Sequence, residues 1–168
     1  IMETQNMRTG KVVKINANMV SAQFNTFVIQ NEVAYVCCGS DRLKAEVIRI
    51  KGKVAELQVY ESTTGVRVND RVEFSDELLS VKLGPGLLGQ IYDGLQNPLP
   101  ALAEKNGFFL KRGVYLEALD LEKKWDFSPT KKVGDVVYAG EYLGHVQENI
   151  ITHYIMAPFS LTGRWKIS

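Results

Sequence analysis

Long apolar runs are missing from this chain. None approaches the roughly 20 residues that cross a bilayer, and the opening stretch, Ile1 to Thr9, is polar and lacks the apolar core of a secretion signal. No direct membrane insertion is expected, and the protein reads as cytoplasmic. An excess of one charge is missing too. Twenty Lys and Arg stand against nineteen Asp and Glu, a net charge of +1. Proteins that hold nucleic acid through its phosphates carry a basic surplus, because counterion release supplies much of that affinity. No nucleic-acid partner is expected.

Cysteine is scarce, and the two that occur, Cys37 and Cys38, are neighbours. Adjacent residues on a strand point to opposite faces, and a vicinal bridge is strained, so no structural disulfide is expected. One of the pair reads as a buried small apolar group. With no C-x-x-C spacing, a zinc site is not expected either. The only histidines, His145 and His153, lie eight apart in strand-like sequence, and no H-E-x-x-H or G-x-S-x-G accompanies them. They read as structural. Asp120 and Glu122 beside Lys123 and Lys124 read as a solvated charged turn, and Lys131-Lys132 as ordinary surface. The phosphate cradle G-x-x-x-x-G-K-[ST] is absent as well. No catalytic, cofactor-binding or metal-ligating residue is therefore assigned.

What is present is a globular composition, 45% apolar and 23% charged in 168 residues, enough for one ordinary domain or two small ones. Short strands fill the first half: Gly10–Ile15, Met19–Phe24, Glu32–Cys37, Leu43–Ile50, Val54–Tyr60 and Arg71–Phe74. Turn residues separate them, among them Asn16-Ala17-Asn18, Gly39-Ser40-Asp41 and Lys51-Gly52-Lys53. Ala55, Leu57 and Val59 alternate with Glu56, Gln58 and Tyr60, and Val72 and Phe74 point inward. Six short strands without helical period predict a small closed barrel, and closure removes the edges that would aggregate.

The middle changes character. Gly84-Pro85-Gly86-Leu87-Leu88-Gly89 is formally a G-x-G-x-x-G string. A dinucleotide site would need a βαβ unit and an acidic residue about 20 positions on. Gln90–Leu95 is too short for the crossover helix, and Gly94 and Asn97-Pro98 interrupt it, so a glycine-rich turn leading into a short helix is expected instead. The last third reads as strands again, beginning with Lys111–Ala118. Val133-Gly134-Asp135-Val136 repeats the turn shape of Val68-Asn69-Asp70-Arg71. Lys132–Trp165 resembles a biotinyl/lipoyl-type barrel sandwich. Such modules carry their cofactor on a lysine at a hairpin tip, and Glu148-Asn149-Ile150-Ile151-Thr152 has none.

Leu83-Gly84-Pro85-Gly86-Leu87-Leu88-Gly89-Gln90-Ile91-Tyr92-Asp93-Gly94-Leu95-Gln96-Asn97-Pro98-Leu99 closely resembles a signature of the catalytic A-type subunits of V-type (vacuolar/archaeal-type) ATPases. Gln58–Gly65 looks like that family's barrel-closing strand and turn. Phe109–Val114 and Lys123–Phe127 look like the entry to its bulge insertion, and Gly140–Glu148 with His153–Pro158 like the insertion itself. The loop Asn16–Met19 and Phe159 depart from the family's usual residues. The resemblance runs from Gly10 to Trp165. The bulge favours the A-type subunits over the B-type ones and over the F-type β subunits, which lack it.

The resemblance implies a mainly β fold: a six-stranded N-terminal barrel and a barrel-sandwich-like bulge, joined by a short helical stub of the nucleotide-binding domain. It implies a flexible tail at 1–9, the barrel at 10–77, linker and start of the nucleotide-binding domain at 78–110, and the bulge at 111–168. Beginning at Ile1 and stopping in strand-like Gly163–Ser168, the chain reads as a piece of a longer subunit. That subunit would bind Mg-ATP through a P-loop beyond Ser168 and hydrolyse or make ATP in an alternating ring with B-type subunits. It would turn a central stalk coupled to proton or sodium transport, peripheral to the membrane. The barrel would join a crown that holds the ring together, and the bulge would face the peripheral stator stalk. Leu87, Leu88, Ile91 and Leu95 would have lost packing partners and would fold back on the bulge or form a crystal contact. The competing readings are a carrier module of the biotinyl type and a stand-alone interaction module.

Overall fold

A computed structural model describes residues 8–107 and 111–168. Most of the tail expected at 1–9, and Phe109-Leu110 of the bulge entry, lie outside the described residues. Six strands, β1 (Arg8–Asn16), β2 (Met19–Phe24), β3 (Glu32–Cys38), β4 (Asp41–Lys51), β5 (Val54–Val59) and β6 (Arg71–Leu78), form a closed barrel in the order β1-β2-β5-β4-β3-β6. Every pairing is antiparallel, and β6 returns to β1 to close the ring. Register shifts interrupt three of the pairings, at Val12/Lys14, Val47/Arg49 and Glu32/Ala34. Such bulges bend a strand and increase its twist, which a ring of only six strands requires.

The core lies inside the ring. Val12, Val20, Ala22, Ala34, Val36, Leu43, Ala45, Val47, Ala55, Leu57, Val72 and Phe74 are all buried there. Alanines among the valines and leucines leave room for Phe74, whose ring meets Phe24 edge-on at 6.0 Å. Cys38 is buried and Cys37 half-buried; both thiols are free. Burial, reinforced by the nearby Glu73 carboxylate, pushes the Cys37 thiol's pKa up. One carboxylate is fully enclosed: Glu32 accepts the N–H of Ile29 at 2.9 Å and of Asp76 at 2.8 Å, and Arg8 lies 2.6 Å away.

Lys111–Ala118 is not a strand, contrary to its apolar pattern. A closed barrel offers no free edge for a seventh strand, so 111–115 is tied to the barrel through side chains. Arg112 pairs with Asp41 at 2.9 Å, and the Gly113 N–H donates to Glu61 at 2.8 Å. The Tyr115 hydroxyl donates to Glu61 at 2.6 Å and accepts from the Lys44 N–H at 2.7 Å. The helix also lies later than the spacing suggested. Turns occupy Gly84–Leu95, and α1 (Leu99–Asn106) follows Asn97-Pro98. Pro100 sits in the first turn, where its missing N–H costs nothing, and Gly107 at φ 74° closes the helix with an N–H bond to Ala103.

The second compact unit joins 81–102 to 116–168. It contains a three-stranded sheet, β10 (Ile151–Met156), β9 (Tyr142–Glu148) and β7 (Phe127–Pro129), and a two-stranded one, β11 (Trp165–Lys166) with β8 (Val136–Val137). Few apolar side chains are buried in it: Leu102, Val137, Val146 and Ala157. The two turns likened to each other are the same device. Asp70 accepts the Arg67 N–H at 2.7 Å and Asp135 that of Lys132 at 2.8 Å, with Asn69 and Gly134 at positive φ.

Two stability measurements check the barrel. A Cβ at Gly10 would meet the Gln23 carbonyl oxygen at 2.6 Å and the Phe74 ring at 3.0 Å. Gly10→Ala should therefore destabilise by about 1–3 kcal/mol in urea unfolding. Burial, with the Glu46 hydrogen bond, lifts Tyr60 to about 12, and burial with Glu61 raises Tyr115 too. Both neutral phenols stabilise fully below the unfolded value of about 10, and that stability is lost as pH rises through the folded values. Tyr60→Phe and Tyr115→Phe should each flatten the alkaline side of the thermal-midpoint profile.

Candidate functional site

The glycine-rich stretch directs two backbone N–H groups at a carboxylate of the same unit. Gly86, at φ 104°, turns its N–H toward Glu148 Oε1 at 2.7 Å, and the Leu88 N–H reaches the same oxygen at 3.3 Å. Two amides converging on one anion make the kind of nest that elsewhere cradles a phosphate. Here the anion belongs to the chain. Glu148, the last residue of β9, is 2% exposed. Its second oxygen faces His153 Nδ1 at 3.1 Å, five residues on across the hairpin. Burial alone would raise its pKa, but the Gly86 N–H, His153 and the Leu88 N–H outweigh it and hold the carboxyl below its usual value.

A second polar knot supports the loop. Asp93 accepts the N–H groups of Leu95 and Asn97 at 2.9 and 2.8 Å and the Asn97 amide at 2.9 Å. Asn97, itself buried, accepts the Leu116 N–H at 3.0 Å. The Tyr92 hydroxyl donates to the Ala118 carbonyl at 2.9 Å. These bonds seat 84–98 against 116–118 within the unit. Leu87 and Leu95 are half-buried, while Leu88 and Ile91 remain exposed at 43% and 65%. The bonds that hold this stretch within the unit are polar, made by the Gly86 and Leu88 N–H groups, the Tyr92 hydroxyl and the Asn97 amide. A cleft of about 390 Å³ lies alongside, lined by Pro85, Tyr92, Pro98, Glu117, Leu119 and Lys123 among others.

The other residues weighed from sequence have local partners. Asp120 accepts the Glu122 N–H at 3.0 Å, Lys123 lies 4.2 Å over the Trp125 ring, and Lys131 pairs with Glu141 at 2.9 Å. His145 packs against Tyr154, 6.1 Å between ring centres, while His153 pairs with Glu148. Among the described residues no three His, Cys, Asp or Glu side chains gather as a metal site. Glu148 itself was missed as a site residue, because its loop partners stand 60 and 62 positions away. The β9–β10 tip carries Asn149 at φ 54° and Ile150, 96% exposed.

Residues 12–76 match the beta-barrel domain of the ATP synthase alpha/beta family, and residues 116–167 match the ATP synthase alpha/beta subunit barrel-sandwich domain. A V-type ATP synthase alpha chain of Treponema denticola is 58% identical over 158 residues, 94% of this chain and 27% of that protein. Alpha chain 1 of Treponema pallidum is 55% identical over the same shares, and the Borreliella afzelii alpha chain 55% identical over 94% of this chain and 28% of its own. The chain belongs to the V-type ATP synthase alpha-chain family. It spans about a quarter of the length of these relatives. The fold expected of a V-type alpha chain is the one found: a closed six-stranded barrel, a barrel-sandwich domain and, among the described residues, one short helix.

The carboxylate knot predicts an acid-side instability. Glu148's pKa is lower folded than unfolded, so its contribution is fully present above the unfolded value of about 4.3 and is lost as pH falls through the folded one. Glu148→Gln should remove that dependence, cost about 1–3 kcal/mol at neutral pH, and speed exchange of the Gly86 and Leu88 amides, read by NMR.

Proposed function

We propose that this chain serves the alpha subunit of a rotary V-type ATPase or ATP synthase as a structural and assembly region. The observation that carries the reading is 52–58% identity to V-type ATP synthase alpha chains across 94% of the chain. In the whole subunit, Mg-ATP would be hydrolysed or made elsewhere, coupled to proton or sodium transport. The barrel would pack beside the beta-type partner in an alternating ring, the barrel sandwich would face the peripheral stalk, and central-stalk subunits would complete the machine. The assembly would sit on the cytoplasmic side, peripheral to the membrane. Consistent with a peripheral place, no described helix is long and apolar enough to cross a membrane.

Within the chain, the reading assigns no catalytic or nucleotide-binding residue. Its support is the use of the Gly86 and Leu88 amides, the groups that would greet a phosphate, on Glu148. The carrier alternative is disfavoured by the lack of lysine at the Asn149-Ile150 tip. Calorimetry of the chain with Mg-ATP should give no saturable heat, intact mass should reveal no lysine adduct, and co-expression with the beta-type subunit should yield a complex on size exclusion. Micromolar ATP binding, or failure to associate, would overturn the proposal.

A further inference from the structure

One pair of side chains on the barrel wall is arranged against its own stability. Lys11 of β1 and Arg71 of β6 are direct partners in the antiparallel register. Opposed residues share a face, and both side chains are exposed. Like charges so placed destabilise a sheet. A carboxylate beside them is already divided: Glu73 gives one oxygen to Arg71 at 3.2 Å and the other to Arg42 at 2.8 Å. Among the described residues Lys11 forms no ion pair. Lys11 and Arg71 line a cleft of about 340 Å³ together with Gln23, Asn25 and Asn69, three residues whose side chains carry amides. Ammonium, guanidinium and amide N–H groups are all donors, and a carboxylate accepts from every one of them.

We infer that this cleft receives an Asp or Glu side chain from an acidic segment of a neighbouring protein subunit, whose surface would resolve the Lys11–Arg71 repulsion. The inference rests on the reading of the chain as part of a multi-subunit assembly. Charge complementarity selects the occupant: two opposed cations and three amides suit one or two carboxylates. A nucleic acid would need a longer row of cations to neutralise successive phosphates, and the chain's net charge of +1 supplies no such surplus.

The test titrates isotope-labelled chain with a hexaglutamate peptide and follows backbone amides by NMR. Lys11, Asn69 and Arg71 should shift, the shifts should weaken with added salt, and hexalysine should leave them unmoved. The Lys11→Gln/Arg71→Gln variant should lose the response. Lys11→Gln alone should raise the thermal midpoint of the free chain, a gain that a merely structural lysine would not give. Absence of shifts at millimolar peptide, a lowered midpoint in Lys11→Gln, or stronger shifts of the same amides with a thymidine oligonucleotide would each overturn the inference. Co-expression with the beta-type subunit separates the two claims. If wild-type chain assembles but hexaglutamate produces no shifts, the cleft assignment fails alone; if wild type does not assemble, the subunit reading fails.

Discussion

A carboxylate removed from water must be surrounded by donors, and each unit of this chain is organised around one that is. Glu32 gathers the N–H groups of Ile29 and Asp76 and the Arg8 guanidinium where the barrel closes. Glu148 gathers the Gly86 and Leu88 amides and His153 in the second unit. An enclosed charge left unpaired is far costlier than an exposed one, so each carboxylate dictates the path of backbone that comes to meet it. In the barrel this supplements a continuous apolar interior. In the second unit, where few apolar side chains are buried, the polar bonds hold the glycine-rich loop in place.

That difference explains what could be read in the residues. The barrel strands follow a period of two, and their alternation is enforced by one closed interior, so Val54–Val59 and Arg71–Phe74 announce which side chains point inward. The limits of β3 and β4 drifted by one or two residues, since strand ends are set by pairing partners. Lys111–Ala118 misled because it has strand-like composition, while the barrel to which 111–115 is tied is closed and offers no free edge. Glu148 was invisible as a site because its role depends on amides 60 and 62 positions earlier, and backbone N–H groups leave no trace in residue identity.

The glycine-rich loop also shows why a motif is only half a statement. A string spaced like a dinucleotide fingerprint turns its amides toward an anion, as such loops do, but the anion is a side chain of the same unit. The chain shares its barrel and barrel sandwich with V-type ATP synthase alpha chains, and its most phosphate-like cradle is occupied from within.

Barrel closure through β1 and β6 has a mechanical consequence. These strands are neighbours and antiparallel, with Arg8 opposite Phe74, so the chain enters and leaves the barrel at the same end. Tension applied between those two points loads the β1–β6 rungs one after another, as in opening a zip, and not all together in shear. A barrel pulled from its own connections is therefore weak, while one gripped across its outer wall shares the load among all six strands.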